Sequence, residues 1–95
     1  MVQINWTNQA KSDLKSIAEF ISRDSVRYAK SQISRIKQRT SILKNHPLAG
    51  RTVPEYEVQE VRELIEGNYR IIYKLVDKER IDILTIHHSS RMMKR

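Results

Sequence analysis

The chain has 95 residues, 39% hydrophobic and 31% charged, with eighteen Lys and Arg against eleven Asp and Glu, a formal net charge of +7. That length supports one domain, residues 1–95, with a thin core. The absence of cysteine excludes a disulfide scaffold, a thiolate metal site and cysteine catalysis. No apolar run approaches the ~18 residues of a membrane helix, and the start of the chain lacks the apolar stretch of a signal peptide, so the sequence reads as a cytoplasmic protein. A small domain this basic meets something acidic: nucleic acid, an acidic protein or an anionic membrane.

Val2, Ile4 and Trp6 alternate with polar residues, which predicts a short strand at an edge of a sheet. Ala10, Leu14, Ile17, Ala18 and Ile21 then recur at the three- and four-residue spacing of one helical stripe. Thr7 or Asn8 supplies the cap, since either side chain accepts from the orphan N–H groups of a first turn. Ser22, Asp24 and Ser25 offer a break and a second cap. Val26, Ala29, Ile33, Ile36 and Leu43 make a longer second stripe, interrupted by Thr40. Pro47 ends it, because the residue before a proline avoids the helical region. The short link predicts an antiparallel helical hairpin.

The segment 46–54, HPLAGRTVP, holds three of the four Gly and Pro residues and divides the chain. Beyond it the reading is strands: 58–66, then 69–76, then 80–88. Gly67-Asn68 is a two-residue hairpin turn, with glycine at the position that needs positive φ. Asp77-Lys78-Glu79 is a second turn. Ile81, Ile83 and Thr85 fall on one face of the last strand, Leu84 and Ile86 on the other, as expected inside a sheet. The predicted fold is α+β: an N-terminal helical hairpin packed on a small antiparallel sheet.

Charge is uneven. Residues 1–46 carry nine basic and three acidic side chains, a net +6, while residues 47–95 carry nine and eight. The second helix is the basic element, with Arg23, Arg27, Lys30, Arg35, Lys37, Arg39 and Lys44. Arg91, Lys94 and Arg95 add charge after the last strand.

The ordered set Ala10–Asp13–Leu14, Pro47–Gly50–Arg51, Arg62–Glu63–Leu64, Tyr69–Arg70–Tyr73 and His88–Arg91 resembles the RelE/ParE superfamily of toxins from type II toxin–antitoxin modules. The resemblance spans essentially the whole chain, and the Pro-x-x-Gly-Arg and Tyr-Arg-x-x-Tyr pieces look more like the ParE branch. It implies two N-terminal helices against a small sheet. It also implies a growth-inhibiting, plasmid-stabilising toxin held in a hetero-oligomer by a small, often acidic antitoxin, for which Arg27, Arg35 and Arg39 are the expected contacts. No cofactor and no metal are expected: His87 and His88 are adjacent on a strand and face opposite ways, with no third or fourth ligand in view.

Two mechanisms share that fold. ParE-like toxins poison DNA gyrase without chemistry of their own; RelE-like toxins cut mRNA in the ribosomal A site. Cutting RNA needs a base for the 2′-OH, cations for the developing charge and an acid for the leaving oxygen. Glu63, Arg70 and His88 are the catalytic candidates on that reading, with Arg62, His87, Arg91 and Met92 as target contacts. The pattern departs from the ribonuclease branch in two ways. Acids at Glu60, Glu63 and Glu66 stand where lysines are expected, and no tyrosine follows Tyr73. Gyrase poisoning is therefore the favoured reading, mRNA cleavage the second. A basic nucleic-acid-binding module comes third, since no helix-turn-helix, zinc-finger or RNA-recognition signature is present. Arg70 has a plainer expectation beside these, an ion pair with Glu63 across the hairpin. Tyr69 and Tyr73 are expected to pack, and Trp6 to lie in the core or against the antitoxin.

Overall fold

Two side-chain caps set the helices. The Thr7 hydroxyl accepts from the Ala10 N–H and opens α1 (Asn8–Ser22); the Ser25 hydroxyl accepts from the Tyr28 N–H and opens α2 (Val26–Ser41). A 3-10 turn, Ile42–Lys44, closes the second helix before Pro47. There are five strands among the described residues: β1 (Gln3–Trp6), β2 (Arg51–Thr52), β3 (Val61–Glu66), β4 (Tyr69–Leu75) and β5 (Arg80–His88). They form a sheet in the order β1-β5-β4-β3-β2, in a computed structural model that describes residues 2–89. The predicted helical hairpin on a small sheet is the fold observed.

The sheet is mixed rather than wholly antiparallel, because β1 pairs parallel with β5. A parallel partner needs a long crossover, and here it takes in both helices, which lead to β2 at the far edge, and the strands that return from there to β5. β1 lies at an edge as expected. β3 begins at Val61 rather than residue 58, since Glu57 has a φ of 55°, which takes the backbone out of the extended region just before it. The β3–β4 hairpin turns at Gly67, whose φ of 58° is the positive value the first turn position requires.

Ala10, Leu14, Ile36, Leu43, Leu64, Ile71, Tyr73, Ile81, Ile83 and Ile86 are buried together between helices and sheet. The second stripe is corrected at both ends. Val26 is 58% exposed, and Leu43 belongs to the 3-10 turn rather than the helix. Thr40 does not interrupt the stripe: it is buried, and its hydroxyl donates to the Lys37 carbonyl at 2.7 Å. On the open face of the sheet a smaller cluster, Val53, Val61 and Ile72, is flanked by Tyr56 and Leu84.

The last strand also departs from simple alternation. Ile72 pairs with Thr85 and Tyr73 with Ile83, so Leu84 is an extra residue and the strand bulges there. The bulge returns Ile86 to the same core as Ile81 and Ile83, the face the sequence assigned to Thr85. Thr7 and the start of α1 bond to β5 around the bulge. Asp13 accepts from the Ile86 N–H at 2.9 Å and from the Thr85 hydroxyl. The Thr7 hydroxyl donates to the Ile83 carbonyl at 2.7 Å.

Candidate functional site

Three arrangements concentrate the polar chemistry. The first is a chain of alternating charges on the open face. Glu63 projects from β3 with a fully buried carboxylate. One oxygen accepts from Arg70 Nε at 2.6 Å, the other from Arg51 Nε at 2.6 Å. The two terminal nitrogens of Arg70 donate to the two oxygens of Glu55 at 2.8 and 3.0 Å. The bond to Glu55 above all, and that to Glu63, hold the Arg70 pKa well above the ordinary arginine value, against the opposing effect of burial. Arg70 is thus permanently charged and already carries two carboxylates. A phosphate would have to displace both, each through charge-assisted bonds.

The expected ion pair between Arg70 and Glu63 is present, along the diagonal of the hairpin, since Glu63 stands opposite Ile72. His88 lies apart from them. It pairs with Tyr69 across β4 and β5, and the two rings meet edge to face with centroids 5.5 Å apart. Tyr69 packs against the helix-side core, so the sheet separates His88 from Glu63 and Arg70. His87 is the histidine opposite Arg70. Among the described residues no cluster of His, Asp and Glu suits a metal ion.

The second arrangement is the clamp on residues 47–50. The buried Tyr73 hydroxyl accepts from the Gly50 N–H and donates to the Pro47 carbonyl, both at 2.9 Å. A Cβ on Gly50 would come within 2.5 Å of the Glu63 carbonyl, so only glycine fits there. Arg62 adds a bond from Nη1 to the Gly50 carbonyl at 3.0 Å, which makes it a buttress of this loop. Tyr73 and Tyr69 pack, as expected.

The third is a groove along the outer seam of α1 and α2. Trp6, Leu14 and Ile33 line its floor, and Lys11, Lys15 and Lys37 its rim. It runs past Ile33 into a second hollow lined by Ala18, Ala29 and Val26, beside Lys30 and Glu19. Arg27 and Arg35 are exposed on α2, while Arg39 is half-buried and donates from Nε to the Ile65 carbonyl at 3.2 Å, tying helix to sheet. Arg91 and Met92 lie outside the described residues. Sequence reasoning missed Glu55, Arg51 and the rim lysines Lys11 and Lys15 as site residues, and had Lys37 only as part of the basic second helix. Only the lysine spacing carried a signal: Lys11 and Lys15 are four apart and share a helix flank.

Two helices on a five-stranded mixed sheet, in this order, form the fold of the RelE/ParE toxins. The family described as "ParE toxin of type II toxin-antitoxin system, parDE" matches residues 4–93, and the chain belongs to it. Among solved structures it is similar to the chromosomal ParDE toxin–antitoxin system from P. aeruginosa, at 25% identity and a TM-score of 0.75, covering 93% of this chain and 96% of that one. The toxin–antitoxin complex RelBE2 from Mycobacterium tuberculosis is similar at 22% identity and a TM-score of 0.59, covering 92% and 96%. The E. coli DinJ–YafQ complex is similar at 14% identity and a TM-score of 0.65, covering 95% and 96%. Comparison with curated protein sequences gives no match.

Proposed function

We propose that this toxin arrests growth by poisoning DNA gyrase in the cytoplasm, without cutting RNA itself, and that an acidic antitoxin neutralises it. The engagement of Arg70 carries the first part. The arginine best placed by sequence to grip an RNA phosphate is held by Glu55 and Glu63, and the His88 ring lies on the other face of the sheet. Glu63, Arg70 and His88, the set named for base, cation and acid, therefore do not converge on one point, which RNA cleavage by that set requires. Membership of the ParE family and the likeness to the P. aeruginosa ParDE system support the same reading.

The groove between the helices supports the second part. An apolar floor with a lysine rim suits an amphipathic helix that carries acids on its flanks. A second copy of this chain would bring lysines against lysines. The structural relatives are toxin–antitoxin complexes, which favours the same kind of partner here.

The test for the target uses the purified toxin, gyrase, supercoiled plasmid and ATP, followed by detergent and protease. Toxin-dependent linear DNA is the expected result. Unimpaired supercoiling with no cleavage, by folded toxin, would overturn the gyrase reading and move attention to the ribosome.

A further inference from the structure

The chain of charges on the open face ends at an arginine with unused capacity. Arg51 is bound through Nε alone, and its side chain is 71% exposed. Guanidinium carries five N–H donors in a rigid fork. The bond to Glu63 uses one, and the two terminal nitrogens have no partner among the described residues. An exposed arginine ordinarily loses rotamer freedom when it grips a ligand, which weakens the contact. Here that ordering is already in place: Glu63 is buried and bonded to Arg70, which is itself bonded to Glu55. Behind Arg51 the unit Glu55–Arg70–Glu63 carries one net negative charge, so Arg51 is electrostatically tied to its position.

We propose that Arg51 is a preformed receptor for one carboxylate of the antitoxin, taken bidentately on the free end of its fork. The claim rests on the antitoxin reading above and extends the contact from the helical groove to the β2 edge of the sheet. Glu63, Arg70 and Glu55 are bonded to one another behind Arg51, so what it presents is one two-pronged donor edge, the match of a single carboxylate. A nucleic acid needs a row of cations for its run of phosphates.

Replacing Arg51 by alanine would strip the charge that balances buried Glu63 and so confuse folding with binding. Arg51→Lys separates the two. It keeps a positive charge over Glu63, but an ammonium point charge has no two-pronged edge. The measurement is calorimetric titration of wild-type and Arg51→Lys toxin with the antitoxin of the same module, together with each thermal midpoint. The expected result is about a tenfold weaker Kd for Arg51→Lys with an unchanged midpoint. Exchanging each antitoxin Asp or Glu for its amide in turn should then find one position that weakens the wild-type toxin but adds little to Arg51→Lys.

Equal affinity for the two toxins, or no coupled antitoxin carboxylate, overturns the proposal. Full antitoxin affinity with lost toxicity also overturns it, and gives the contact to the target. Binding of unrelated duplex DNA that needs Arg51 and falls steeply with salt overturns it in favour of phosphate. A wild-type toxin that does not bind the antitoxin at all removes the partner reading itself, and this contact with it.

Discussion

Glu63 is the residue on which most of the open face depends. Its carboxylate is withdrawn from water and satisfied by two guanidinium groups at 2.6 Å each. Taking away one member of such an arrangement leaves its partners charged in a place chosen for a neutral whole. Glu63→Gln should therefore lower stability by about 3 kcal/mol in urea unfolding. A loss under a tenth of that would mean the network is loose. Tyr73 has the matching role on the other face. Burial pushes its hydroxyl pKa up, against the lowering effect of the Gly50 bond. A raised pKa in the fold means that the neutral form is favoured. That contribution is complete below the unfolded tyrosine value of about 10 and is lost as pH rises through the folded one. Alkaline unfolding above about pH 10 should accordingly be shallower in Tyr73→Phe. The variant should also lose about 1–3 kcal/mol at neutral pH, because the Gly50 N–H and Pro47 carbonyl are left unpaired. Stability curves from pH 7 to 11 measure both effects.

At the scale of elements, the bulge in β5 is the feature that joins helix to sheet. β1 stops pairing with β5 at Ile83, and beyond it, next to the extra residue Leu84, Asp13 from α1 accepts from the Ile86 N–H at 2.9 Å. This gives a physical reason for an acid in the Ala10–Asp13–Leu14 segment: it stands one turn after Ala10 and next to Leu14, both in the core, where it meets β5. Asp13→Ala should cost about 2 kcal/mol by stranding a half-buried backbone donor. Asp13→Asn, which keeps an oxygen for the Ile86 N–H, should cost less. Equal losses in the two variants would show that the carboxylate charge matters rather than the acceptor. Hydrogen exchange at Ile86 reads the same event directly, and should quicken in the alanine variant.

At the scale of the molecule, charge and shape are sorted onto different surfaces. The helices present lysines around an apolar groove, and the sheet's open face carries the paired arginines and glutamates. Reversing two rim charges together, Lys15→Glu with Lys37→Glu, should weaken antitoxin binding about tenfold or more and leave the helical circular-dichroism signal unchanged. Binding by the wild type should weaken with added salt, and binding by the reversed variant should respond less. Unaltered affinity would move the antitoxin off this groove. The amino-acid pattern by itself determined the two helices, the turn at Gly67 and the limits of β5, and it narrowed the caps to Thr7 or Asn8 and to Ser22, Asp24 or Ser25, because each depends on contacts within a few residues. It also marked the family through its ordered set of segments. Only tertiary structure decided the parallel pairing of β1, since its partner lies across the whole chain. The bulge at Leu84 escaped for a related reason: residue alternation assumes an unbroken ladder, and the strand breaks it where Asp13 and Thr7 come from a distant helix. The candidate site was legible as residue types but not as an arrangement. Glu63 and Arg70 were visible as a possible pair. The bonds from Glu55 to Arg70 and from Arg51 to Glu63, and the separation of His88 onto the other face, depend on how a connecting loop folds over the sheet and on which side each strand residue faces, and no local pattern encodes either.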